Sequence, residues 1–169
     1  MLFRIKDIID EDFTNYKKPA MFIATSFCTF KCEKEDCNVK CQNQPIVKQP
    51  IVQLEMNDII NRYLNNDITN SIVIGGLEPF DQFDELLNFI KLFREKSQDD
   101  LVIYTGYTED ETKQIKLNDK NIYDFINEHS ECKNIIIKYG RFKSDSDNIF
   151  DSVLGITLAS NNQYAKKIC

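Results

Sequence analysis

Apolar and polar positions along this chain switch repeatedly between a strand-like and a helix-like pattern. The run "AMFIATSF" (20–27) is short, apolar and preceded by Pro19, which predicts a buried strand. "EMNDIINRYLNN" (55–66) places Met56, Ile59, Ile60 and Leu64 at helical spacing, and "NSIVIGG" then reads as a second strand ending on Gly75 and Gly76. The clearest helix is "FDQFDELLNFIKLFREKSQ" (80–98), where Phe83, Leu86, Leu87, Ile90 and Phe93 form one stripe. Its acids lead and its bases follow, as the helix dipole favours. "DLVIYTGY" gives a third strand, "NIYDFINEH" a helix, "NIIIKYG" a fourth strand and "VLGITLAS" a fifth. The polar stretch "RFKSDSDNIFDS" before that last strand reads as a mobile exposed loop.

This alternation predicts an α/β fold, with one domain over residues 1–169 built as a partial (β/α) barrel on a mostly parallel sheet. In such sheets sites collect at the C-terminal ends of strands. Three segments fall there: a cysteine-rich loop after the first strand, "GGLEPF" after the second and "TGYTEDE" after the third.

Composition narrows the function. With 42% hydrophobic and 28% charged residues, the chain has the make-up of a globular protein. A net charge of −6 argues against non-specific nucleic-acid binding, which needs a surplus of Lys and Arg along the phosphates. No apolar run reaches the roughly 18 residues of a spanning helix, and "MLFRIKDIIDEDF" mixes acids into any would-be signal segment. The expectation is a cytoplasmic protein whose partners are neither nucleic acid nor membrane.

Six cysteines change the picture, because Cys28, Cys32, Cys37 and Cys41 crowd into "SFCTFKCEKEDCNVKCQNQP". Secreted disulfide scaffolds are usually shorter and richer in Cys, so metal binding is the first expectation. Thiolates separated by three, four and three residues wrap a soft metal centre with little loop-closure cost. The loop lacks the CxxC pair usual in zinc sites, and its CxxxC opening favours iron and sulfur. Cys132 and Cys169 read as a small buried hydrophobe and an incidental thiol, and His129 as a helix-end residue without a catalytic part.

The order of these motifs resembles the radical S-adenosylmethionine enzymes, and within them the activating enzyme of anaerobic ribonucleotide reductase. The likeness rests on CxxxC followed by "Cys41-Gln42-Asn43", on "GGLEP", on "YTGYTEDE" and on the closing "LGITLASNNQYAKKI". It implies a 4Fe-4S cluster in the loop at 28–43, held by Cys28, Cys32 and Cys41, with one iron left to bind S-adenosylmethionine. Asn43, Gly75, Gly76, Glu78 and Thr105 match positions that meet this cofactor, while Ser160, Asn161 and Gln163 match the polar closing segment. The implied reaction is reductive cleavage of the cofactor to a 5′-deoxyadenosyl radical, which takes hydrogen from a glycine of a partner glycyl-radical enzyme. Reduced flavodoxin or ferredoxin is the implied electron donor.

Two departures stand out. Eight residues separate Cys32 from Cys41 where the family has two, so Cys37 is open as a replacement for Cys41 or as a fourth ligand. Leu77 also stands between the glycine pair and Glu78. The sequence leaves open a radical enzyme with another substrate, a four-cysteine electron carrier, and structural zinc.

Overall fold

The computed structural model describes residues 1–35 and 40–169. Its frame is a seven-stranded sheet. The chain enters through β1 (Leu2–Asp12) and runs back antiparallel as β2 (Ala20–Thr25), whose six residues are all buried. Two short helices follow, α1 (Lys31–Glu35) and α2 (Gln44–Val47), then β3 (Val52–Glu55), which pairs antiparallel with β1. From there helices and strands alternate through α3 (Met56–Leu64), β4 (Ser71–Gly76), a 3-10 turn (Pro79–Gln82), α4 (Phe83–Arg94) and β5 (Asp100–Tyr104). The chain continues into α5 (Glu109–Gln114), α6 (Ile122–Glu128) and β6 (Ile135–Tyr139). A hairpin of β7 (Ile149–Asp151) and β8 (Ile156–Leu158) precedes the last strand, β9 (Tyr164–Lys167).

Strand order in the sheet is β3-β1-β2-β4-β5-β6-β9. The β2-β4-β5-β6 stretch is parallel, so four strand ends open on one side, and the added strands at both margins run antiparallel. The α/β expectation of a partial barrel holds, and the four predicted parallel strands are those at its centre. Among the described residues no helix is long and apolar enough to cross a membrane.

Alternate residues of the parallel strands feed two cores. Met21, Ile23, Ile72, Ile74, Leu101, Ile103, Ile135 and Ile137 meet the helices on one face, with the Phe83, Leu86, Leu87, Ile90 and Phe93 stripe of α4 buried as predicted. Phe22, Val73, Val102 and Ile136 point the other way, against Tyr16 and the Leu154 and Leu158 side chains of the hairpin region. In α3 the buried set is Met56, Ile59, Ile60 and Tyr63, whereas Leu64 is exposed. Tyr63 lies seven residues from Met56, within about 20° of it around the helix, while Leu64 has rotated a further 100°. The Tyr63 hydroxyl still reaches a partner by donating to Asp99 at 2.7 Å.

Two expectations are corrected. "VLGITLAS" is not a fifth strand of the main sheet: Gly155 sits at φ +71°, the chain turns there, and only Ile156–Leu158 remain extended, paired with β7. "RFKSDSDNIFDS" is not merely a loop, since it contains β7. Asp151 ties it down, accepting from Val153 N at 3.0 Å, Leu154 N at 2.8 Å and Ala165 N at 2.7 Å.

Candidate metal centre

The cysteine loop leaves the end of β2 under tight polar control. Gln82, from the turn after β4, accepts through Oε1 from Ser26 N at 2.6 Å, Ser26 Oγ at 2.9 Å and Phe27 N at 2.9 Å. Its amide donates to the Arg4 carbonyl and to Glu85, so every part of this buried group is matched. Asp81 accepts from Thr29 N at 2.6 Å and from the Tyr107 hydroxyl at 2.5 Å, joining the loop to the end of β5. Phe30 then adopts φ +53°, and its N–H donates to Cys28 Sγ at 3.2 Å.

The far side of the loop is tied to the near side. Cys32 lies in α1, whose Glu33 accepts from Cys41 N at 2.7 Å. Asn43 donates its amide to the Gly76 carbonyl, linking the loop to the end of β4. Gly76 has φ +84°, and a Cβ there would lie 2.9 Å from Ala24 Cα, so only glycine fits this approach of β4 to β2.

These ties surround a cavity of about 380 Å³ at the C-terminal ends of the parallel strands. Cys28, Cys32, Cys41, Asn43, Gly76, Glu78 and Thr105 all line it, as does Gln163. Gly75 does not line the cavity; it sits one residue back in β4, packed against Tyr104 and Phe22. Cys37 lies outside the described residues. Ser160 is buried and donates from its backbone to Gln163 at 3.3 Å, so the closing segment supports the wall. Cys132 is buried in the helix-side core, and His129 caps α6 with Nδ1 2.8 Å from the Phe125 carbonyl oxygen, both as expected.

Glu78 and Thr105 turn out to hold two strand ends together. Glu78 is buried and accepts from Thr105 Oγ1 at 2.7 Å, Gly106 N at 2.8 Å and Phe80 N at 3.1 Å. These donors favour the carboxylate, yet burial outweighs them and pushes its pKa up to about 7. Thr105 Oγ1 in turn accepts from Tyr107 N at 3.0 Å. Thr108 caps α5, in a reciprocal capping box with Glu111.

Burial pushes the Cys28 thiol up to about 12, against the pull of the Phe30 N–H. Cys32 is raised by burial and then by neighbouring Cys41, and Cys41 by burial. A metal centre bound here supplies the positive charge that draws such raised thiols into the thiolate form. Among the described residues no three His, Cys, Asp or Glu side chains gather closely enough for a single ion. The thiols are instead arrayed along a cavity wall, and that donor set suits a thiolate-bound cluster of several irons.

Sequence reasoning missed Lys138 and Arg141. Lys138 is buried in β6, faces the cavity and donates to the Gly140 carbonyl at 3.1 Å. Burial lowers its pKa to about 8, with Glu78 pulling the other way. A lysine inside the apolar run "IIIKYG" was the available signal. Arg141, one residue beyond Gly140, was hidden in the segment read as a loop.

A three-thiol wall at the open end of a parallel α/β sheet defines a metal-cluster protein. The model of the 4Fe-4S single cluster domain matches residues 19–157, from the start of β2 through β8, and the chain belongs to that family. The chain matches no curated protein. The expected 4Fe-4S cluster is thereby supported.

Proposed function

We propose that the chain is a radical S-adenosylmethionine enzyme that activates a glycyl-radical partner, anaerobic ribonucleotide reductase. The observation that carries this reading is the meeting of four separate motifs at one cavity: the cysteine loop, Asn43 on the Gly76 carbonyl, Glu78, and the Thr105-Gly106-Tyr107 turn. A cluster alone needs only the loop.

In this reading Cys28, Cys32 and Cys41 hold the cluster and leave one iron open. When bound, cluster and cofactor supply reductive cleavage of the sulfonium and removal of a hydrogen atom from a glycine. The chain's residues hold and shield the reactants. Asn43 fixes the loop to β4 through the Gly76 carbonyl, and Gly76 lets β4 lie close enough to β2 to present that carbonyl at the cavity. Glu78 and Thr105 are spent on each other, so they shape the wall by joining β4 to β5. The Lys138 ammonium suits the carboxylate of the cofactor's methionine part. Reduced flavodoxin or ferredoxin delivers the electron, and an open cavity mouth receives a partner's loop.

The test uses anaerobically reconstituted protein, wild type and Cys37→Ala. The reduced cluster's electron paramagnetic resonance spectrum is recorded with and without S-adenosylmethionine, alongside an assay for 5′-deoxyadenosine. A cofactor-dependent spectrum and cleavage product in both proteins are expected, followed by a glycyl radical on added reductase. A spectrum indifferent to the cofactor, together with cluster loss in Cys37→Ala, identifies a four-cysteine electron carrier and ends this reading.

A further inference from the structure

The helix carrying Cys32 is held from outside the cysteine loop. Arg141 lies just past β6, and its side chain is only 14% exposed. It donates from Nη1 and Nη2 to the two Glu111 carboxylate oxygens at 2.8 and 2.7 Å, a two-pronged pairing. Its Nε faces Glu35, the last residue of α1, at 3.2 Å, and its guanidinium lies 5.5 Å from the centre of the Tyr107 ring. Lys31, the first residue of α1, sits 4.4 Å from the centre of that ring and 4.0 Å from Glu111. Both ends of α1 therefore reach one arginine-centred patch, with Cys32 between them.

That patch is built on fixed parts. Glu111 also accepts from Thr108 N at 2.8 Å within its capping box. The Tyr107 hydroxyl is anchored on Asp81, and Asn162 donates to the Arg141 carbonyl at 2.8 Å. Arg141 thus transmits the position of β5 and β6 to α1. Fork geometry and ring stacking are properties of arginine that lysine does not reproduce.

We propose that Arg141 is a positioning residue for the cluster: through Glu35 it clamps the Cys32 helix against the strand ends and sets how firmly the metal is retained. The inference rests on the cluster alone and not on the radical chemistry. Outer partners that orient ligands typically alter metal affinity by about 10–100-fold when removed.

The experiment measures iron release from the cluster-loaded protein to a ferrous-iron chelator under anaerobic conditions, for wild type, E35Q, R141K, R141Q and E35Q/R141Q. Thermal unfolding of each apoprotein is followed in parallel by circular dichroism. R141Q should release iron about 10–100-fold faster. E35Q should be faster than wild type, R141K should fall between wild type and R141Q, and the double variant should match R141Q because both changes break one link. Should R141Q take up no cluster, E35Q still decides, since it cuts only the exposed arm of the clamp. An E35Q release rate equal to wild type, or effects that add in the double variant, would overturn the proposal. So would a release rate that merely follows the loss of melting temperature.

Discussion

Replacing Gly76 with alanine tests how the sheet meets the cavity. Alanine at φ +84° carries left-handed strain of about 1–3 kcal/mol. Its methyl would stand 2.9 Å from both Cα and Cβ of Ala24, and relieving such crowding by shifting backbone costs about 1–3 kcal/mol more. The sum, about 2–6 kcal/mol, is a large part of the 5–15 kcal/mol typical of a domain. Two nearby glycines serve as internal controls. Gly75→Ala meets Tyr104 Cβ at 3.1 Å without a positive φ, and should lose about 1 kcal/mol. Gly106→Ala makes only ordinary contacts, 3.5 Å to Glu78 Oε2 and 3.6 Å to Arg141 Cγ, and should stay within about 0.5 kcal/mol of wild type. Urea unfolding of the three apoproteins gives the order directly. Iron content after gel filtration of the loaded proteins should fall in Gly76→Ala as well, because the displaced carbonyl is the one Asn43 binds. A Gly76→Ala midpoint equal to that of Gly106→Ala would refute the reasoning.

Gln82→Ala should destabilise the apoprotein by about 2–4 kcal/mol, because Ser26 N, Ser26 Oγ and Phe27 N lose their shared acceptor; unchanged urea resistance would contradict this. The Glu78 carboxyl keeps its proton to about pH 7 when folded but only to about 4.5 when unfolded. The folded state thus binds more protons between these values, and the contribution of Glu78 to stability should fall as pH rises from about 4.5 to about 7. Glu78→Gln should flatten that part of the profile, measured by urea titration of the apoprotein at successive pH values. An identical slope in wild type and variant would remove Glu78 as its source.

The parallel core was legible because strands buried on both faces leave unbroken apolar runs, as in "SIVIGG" and "NIIIKY". The stripe of α4 was equally plain. β1 was not, since Asp7, Asp10 and Glu11 interrupt its pattern and its fully buried apolar residues are just Phe3 and Ile5, with Ile8 partly covered. β9 is too short, and its two lysines and one tyrosine are exposed; pairing with β6 makes it a strand. At the site, Cys28, Cys32 and Cys41 announced themselves by residue type and spacing. Glu78 was legible as a cavity residue but not as a tie, because Thr105 and Gly106 reach it from 27 and 28 positions away. The same holds for Arg141, whose partners Glu35 and Glu111 come from two other elements.

The two faces of the central sheet divide the protein's labour. Helices and aromatic side chains cover one face, carrying Met21, Ile23, Ile74 and Ile103, while the other carries Phe22, Tyr104 and Lys138 towards the cavity. Neighbouring residues on a single strand thus answer to different demands, one to foldability and the next to ligand choice. A lineage can resculpt the cavity by changing Tyr104, Lys138 and the other cavity-lining residues at the strand ends while the helix-packed side goes untouched, so new substrates are open to exploration without re-solving the folding problem.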